Sequence, residues 1–302
     1  MKCNKRLKYS NYVAFSHFHG TAVNNSGLYS YRRFWIYLHI FVFITQKYPY
    51  KMLILHYPYK MLILHLKFFC SYGKLLIIIL REDLLVLVLY LSTISLEWKN
   101  IDSDLMQFVS KERRKKINQY FHVLDKKLSL YSALITRIGL STISGLKHTE
   151  LYFSYSQNHK PLFLSKPKYD FSISHSNGSI ISCISANSPV GADVEKISYP
   201  PFDIMDLIFS QPEIQYINNA SDVERIFRFY KIWTQKEAYY KMLRIGLTGT
   251  ATQCNSLNPD LSKLFYTWQE DHYMYCICGK NVSERSLIKL SETEVQNYFI
   301  PI

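Results

Sequence analysis

Asn177-Gly178 sits between two runs of strand-forming residues, Lys168–Ser174 and Ser179–Ala186, and calls for a tight hairpin turn. Pro189 and Gly191 then introduce a third short strand, Ala192–Lys196. Upstream, Asp102–Lys127 reads as helix with Ser110 as a cap ahead of KERRKK, and Leu128–Ile143 continues as a second, more apolar helix. Downstream, Ser221 or Asp222 can cap a long helix that runs to Ile245 and stops at Gly246, and Phe265–Gln269 with His272–Ile277 reads as a closing hairpin. Strands and helices alternate without the regular spacing of a doubly wound sheet, which favours the α+β class.

The first part of the chain is of another kind. Residues 1–95 carry 12 Lys and Arg against only Glu82 and Asp83, whereas residues 96–302 carry 24 against 21. Most of the net +13 therefore belongs to the N-terminal third. There, Tyr48–His56 and Tyr57–His65 are the same nine residues, YPYKMLILH, in tandem, a single duplication and too little for a solenoid. Residues 1–83 are expected to be an irregular apolar and basic extension, with the folded domain beginning at Leu84 and LLVLVLYL as its first strand.

Charge placement decides among partners. The nearly neutral remainder argues against a nucleic-acid groove and so against a Mg2+-dependent nuclease. The run Phe34–Thr45 is short for a membrane span, and Arg81, Glu82 and Asp83 interrupt the later apolar runs, so membrane association is not expected except through this N-terminal region. Six cysteines show no framework spacing and no His partners for zinc, which fits a reducing, cytoplasmic setting.

Four segments carry chemistry. In GADVEK, Asp193 and Glu195 lie at i and i+2 and share a strand face, a pair suited to Mg2+ or Mn2+ and also compatible with a solvated face. In WTQKEAYYK, Trp233, Glu237 and Lys241 form one helical stripe, which also fits an ordinary surface ion pair, with Lys236 and Arg244 nearby. FSISHS places His175 at a strand end without a Ser-His-Asp triad. Ser110–Lys127 is a basic stretch offering Arg113, Lys116 and Lys127 to a polyanionic ligand, or simply a solvated face.

Their order is more specific than any one of them. FSISHS, then PVGADVEKI, then FYKIWTQKEAYYKMLRIGL resembles the 4′-phosphopantetheinyl transferase superfamily of the surfactin-synthetase-activating type, as do SKERRKKINQYF and His159–Phe163 upstream. The resemblance covers residues 85–300 and implies two similar α+β halves, 84–188 and 189–302, with coenzyme A in the cleft between them. It implies Asp193, Glu195 and Glu237 at Mg2+ (or Mn2+), Glu237 as general base, and Lys241 on the transferring or leaving phosphate. It also implies Lys160, Pro161, Ser174 and His175 on coenzyme A, with Arg113 and Lys116 placed for its 3′-phosphate and Lys236 against the cleft.

The implied reaction moves 4′-phosphopantetheine from coenzyme A to a serine of an apo acyl or peptidyl carrier protein and releases 3′,5′-ADP, in a monomeric enzyme. The stretch Pro201–Ser210 is a candidate carrier-docking surface, or plain core. Two departures stand out. Leu128 replaces a cationic residue of the family pattern, with Arg113 and Lys127 expected to compensate, and Arg244 enters a loop that the family builds with glycine. They motivate the alternative of a weak or inactive member that binds carrier protein or coenzyme A without transfer.

Overall fold

The computed structural model describes residues 85–155, 161–247 and 251–301, together with the backbone of three strands, β1 (Tyr50–Tyr57), β2 (Lys60–Ser71) and β3 (Lys74–Arg81). These three form an antiparallel sheet of their own, and the tandem repeat falls on β1 and β2, paired Leu53 to Leu64. The stretch expected to be irregular thus contains regular strand backbone. The apolar run Phe34–Thr45 lies outside the described residues.

The chain continues with β4 (Val86–Leu91), α1 (Asn100–Leu105), α2 (Lys111–Gln119), α3 (Val123–Ser144), β5 (Phe153–Tyr155), β6 (Pro161–Phe163), β7 (Tyr169–Ser176), β8 (Ser179–Ala186) and β9 (Val190–Lys196). It then forms α4 (Met205–Ile208), α5 (Gln211–Asn218), α6 (Asp222–Leu243), α7 (Pro259–Ser262), β10 (Phe265–Glu270), β11 (Tyr273–Gly279), β12 (Arg285–Lys289) and α8 (Glu292–Phe299). Among the described residues no helix is long and apolar enough to cross a membrane.

Two sheets carry the fold, one ordered β12-β4-β8-β7 and the other β10-β11-β9. In β4 every residue of VLVLYL is buried, because both faces of the strand are covered. Leu87, Leu89 and Leu91 pack with Leu130, Leu134, Ile135 and Ile138 of α3, whereas Val86, Val88 and Tyr90 pack with Val194, Tyr275 and Ile277 of the second sheet. Full burial of such a side chain contributes roughly 1.5–3 kcal/mol. Helix α6 covers the second sheet through Ala238, Cys276 and Cys278.

Each half is therefore a sheet with one long helix, α3 on the first and α6 on the second, in the α+β class expected. The chain does not keep the halves apart at residue 188. Strand β12 returns to the first sheet, parallel to β4 with Leu287 opposite Val88, and α8 joins the first core through Val295 and Phe299. Strand β12 and α8, from beyond residue 188, thus pack with the first sheet and its core.

Local signals set most boundaries. Asn177 and Gly178 have φ of 45° and 103°, as a tight hairpin requires. Ser110 caps α2 by accepting the Arg113 N–H at 3.1 Å. The single helix expected over Asp102–Lys127 is instead broken twice, between α1 and α2 and again at Tyr120–His122, and α3 begins at Val123. Helix α6 stops at Arg244, which takes the left-handed conformation (φ 63°), rather than at Gly246.

Candidate active site

Strand β9 and helix α6 bring the site together because Gly191 lets them touch. A Cβ at Gly191 would lie 1.7 Å from the carbonyl oxygen of Ala238, so only glycine permits this approach. Asp193 and Glu195 follow Gly191 along β9, and Glu237 immediately precedes Ala238 on α6.

The buried Asp193 is the centre of the cluster. Its Oδ1 accepts hydrogen bonds from Lys241 Nζ at 2.6 Å and from Ser174 Oγ at 2.8 Å, and Lys241 Nζ also donates to Ser174 Oγ at 3.0 Å. Lys241 lies 4.0 Å from Glu237 Oε2, one helical turn away. Glu195 Oε2 accepts a hydrogen bond from Ser176 Oγ at 2.9 Å.

Burial and neighbouring charge raise the proton affinity of two of these carboxylates, Glu195 and Glu237. Glu195 is pushed up to about 7, first by burial and then by the Asp193 charge, against the Ser176 hydrogen bond. Glu237 is also raised, by burial opposed by Lys241 and reinforced by Asp193. Burial disfavours the Lys241 charge, but Asp193 and the two glutamates outweigh it and raise the lysine above its usual range. His175, at the exposed end of β7, is lowered by partial desolvation and then by the positive charges of Lys241, Arg113 and Lys116.

This donor set suits a hard cation. Asp193 Oδ2 is buried and has no hydrogen-bond partner, the kind of oxygen that a divalent ion satisfies. Among the described residues no group of three or more His, Cys, Asp or Glu stands in metal-holding geometry. Lys241 occupies Asp193 Oδ1 instead.

Beside the cluster, α2, α3 and the β5–β7 region enclose a cavity of about 300 Å³ lined by Arg113, Arg137, Tyr152, Phe153, Pro161 and Ile173. Aromatic walls with two guanidinium groups suit a ligand that combines a flat base with anionic groups. Arg113 Nη1 donates to Ser129 Oγ at 3.3 Å. Ile173 lines the cavity from one face of β7 while Ser174 meets Asp193 from the other, and His175 at the strand end feels the charges of both Arg113 and Lys241. Sequence reasoning missed Arg137. It interrupts the apolar face of α3, donates to the His148 carbonyl at 3.0 Å and lies over the Phe153 ring.

Of the expected site residues, Ser174, Asp193, Glu195, Glu237 and Lys241 meet in the cluster, Arg113 and Pro161 line the cavity, and His175 feels the charges of Lys241, Arg113 and Lys116. Lys160 lies outside the described residues. Two lysines need correction. Lys127 is fully buried and pairs with Glu292 at 2.7 Å and Asp102 at 3.6 Å, pinning α3 to α8 and α1. Its ammonium is engaged inside the protein and is not among the groups that line the Arg113 cavity, unlike the coenzyme A contact expected of it.

Lys236 is likewise fully buried, pairs with Glu213 at 2.9 Å and donates to the carbonyls of Ala251 and Cys254. It faces the protein interior, away from the cleft. The stretch Pro201–Ser210 divides, with Met205 and Phe209 buried in the core and Leu207 69% exposed.

The two α+β lobes meet where Ser174 of β7 bonds Asp193 of β9, with Lys241 on the same oxygen. The 4′-phosphopantetheinyl transferase superfamily model matches residues 189–291, and the model for the N-terminal part of 4′-phosphopantetheinyl transferases matches 96–187. The chain belongs to the 4′-phosphopantetheinyl transferase superfamily.

Among its relatives is "4′-phosphopantetheinyl transferase ffp" of Bacillus subtilis, 30% identical over 144 residues, 48% of this chain and 64% of that protein. "4′-phosphopantetheinyl transferase Sfp" of Bacillus subtilis strain 168 is 29% identical over 143 residues, 47% of this chain and 63% of that protein. "L-aminoadipate-semialdehyde dehydrogenase-phosphopantetheinyl transferase" of Eremothecium gossypii is 32% identical over 129 residues, 40% and 46% of the two chains. The chain thus spans less than two thirds of the length of these curated relatives.

Proposed function

We propose that this protein transfers 4′-phosphopantetheine from coenzyme A to a serine hydroxyl of an apo carrier protein and releases 3′,5′-ADP. The observation that carries this reading is the convergence of Asp193, Glu195, Glu237 and Lys241 beside the Arg113 cavity. The names of the relatives point the same way.

In this reading the cavity receives the nucleotide end of coenzyme A, with Arg113 and Lys116 toward its 3′-phosphate and Pro161 against the base. Asp193, Glu195 and Glu237 would hold Mg2+, which supplies charge neutralisation at the pyrophosphate. Glu237, its pKa raised by burial, accepts the proton of the carrier serine through a water relay. The serine oxygen forms a bond to the β-phosphorus as the bond from that phosphorus to the bridging oxygen breaks. Lys241 leaves Asp193 to neutralise the departing phosphate, while His175 steadies the phosphate chain. The exposed Leu207, beyond the metal strand, offers an apolar contact to a carrier helix.

The test is to incubate the purified protein with coenzyme A, Mg2+ and a panel of apo carriers and to read intact mass. A pantetheine-sized gain on at least one carrier is expected. No gain on any carrier by a folded protein that still binds coenzyme A would favour the binding-only alternative.

A further inference from the structure

Among the described residues β7 and β9 share no backbone ladder, since β7 pairs with β8 and β9 with β11. They are joined instead by side chains, rung by rung. Asp170 Oδ2 accepts the Val190 N–H at 3.0 Å, and Ser172 Oγ accepts the Ala192 N–H at 3.0 Å. Ser174 Oγ donates to Asp193 Oδ1 at 2.8 Å. Ser176 Oγ donates to Glu195 Oε2 at 2.9 Å and accepts the Lys196 N–H at 3.4 Å. The four residues alternate along β7 and so share one face of the strand. Asp170 also receives Arg244 at 3.3 Å, which ties the end of α6 to the same strip.

We propose that Asp170, Ser172, Ser174 and Ser176 form a polar side-chain ladder that sets the register of β9 against β7 and thereby aims Asp193 and Glu195 into the site. Ser172 and Ser176 are positioning residues in this scheme and touch no substrate. Three of the four rungs take up β9 amide N–H groups, Val190, Ala192 and Lys196, and the Val190 and Ala192 bonds are buried, where an unpaired donor is disfavoured. The other contacts fix carboxylate oxygens, the role that outer-shell partners play at metal sites. Register matters because a one-residue slip of β9 would turn Asp193 and Glu195 to the opposite face and bring Val194 into their place. A short hydroxyl suits this task better than a longer side chain, since it can bridge adjacent strands with little freedom to wander. The ladder acts on the site of the proposed function and rests on that reading for its catalytic meaning.

The test compares the full-length protein with Ser172→Ala, Ser176→Ala and Ser176→Thr. Hydrogen exchange over residues 190–196 needs no metal. Ser172→Ala should speed exchange at Ala192, and Ser176→Ala at Lys196. Mn2+ uptake in the presence of coenzyme A, followed by electron paramagnetic resonance, should weaken about 10-fold in Ser176→Ala. Ser176→Thr, which keeps the hydroxyl, should restore it. Wild-type exchange in both alanine variants would overturn the ladder, and so would unchanged Mn2+ affinity in Ser176→Ala or a threonine variant as impaired as the alanine one. If the wild type itself takes up no Mn2+, the cation site of the proposed function fails, and exchange over β9 alone decides the ladder.

Discussion

Replacing Gly191 with alanine puts a methyl carbon 1.7 Å from the Ala238 carbonyl oxygen, 2.7 Å from the Ala238 carbonyl carbon and 2.8 Å from the Met242 nitrogen. All three are backbone atoms, so no side-chain rotation relieves the clash. Non-bonded atoms settle near 3.5 Å, so β9 and α6 must part by roughly 1.8 Å or distort. Overpacking of this kind costs about 1–3 kcal/mol, and the rigid partners place Gly191→Ala at the top of that range. At 2–4 °C per kcal/mol for a domain of this size, melting should fall by about 6–12 °C.

The same displacement carries Glu237 away from Asp193, and a misplacement of about 1 Å reduces turnover roughly 100-fold. Calorimetry with the carrier mass assay reads both effects. Gly246→Ala is the control, because a Cβ there meets nothing within 4 Å. Ala238→Gly should not rescue Gly191→Ala, since the obstacle is the carbonyl and not the alanine methyl. A Gly191→Ala protein that melts and transfers like wild type would refute the close approach of strand and helix as the element that sets the site.

Three further outcomes are expected. Glu195 has its pKa raised from 4.5 to about 7 in the folded protein, so its contribution to metal-free stability is fully present below pH 4.5 and is lost as pH rises through 7. Over that window the loss approaches about 3 kcal/mol, and Glu195→Gln should flatten the slope in denaturant titrations at pH 5 and 8. Glu237→Gln should cut transfer by about 100-fold or more while leaving coenzyme A binding within a factor of a few, as measured by single-turnover mass kinetics and calorimetry. Lys236→Met strands Glu213 in the interior and should destabilise by about 3–5 kcal/mol without raising the KM for coenzyme A. A raised KM with unchanged melting would restore Lys236 to the cleft.

Local spacing puts Asp193 and Glu195 on one strand face and Glu237 and Lys241 on one helical stripe, but no spacing within either segment joins the two pairs, which in the sequence only the resemblance unites. The Asn177-Gly178 hairpin and the Ser110 cap were legible because their signals are local. Lys127 and Lys236 misled because nothing near them in the chain shows that they are buried. Glu292, which claims Lys127, lies 165 residues away, and Ala251 and Cys254 reach Lys236 from beyond the end of its own helix. Strand β12 was missed because SLIK is short and its partner β4 lies almost the whole domain earlier. The β7 ladder depends on register between strands that do not pair, which no periodicity within one strand reveals.

The return of β12 to β4 has a consequence for the order in which the protein can be made. A ribosome finishes β4, α3, β7 and β8 well before β12, so the outer edge of β4 stays unpaired while the entire second lobe is synthesised. The first lobe cannot complete its sheet ahead of the second, nor can Lys127 find Glu292 until α8 has emerged. The nascent chain therefore passes through a long interval in which a strand edge and a buried-site lysine both wait for partners. Completion of the first sheet therefore waits for the C-terminal residues, after the second lobe has been made.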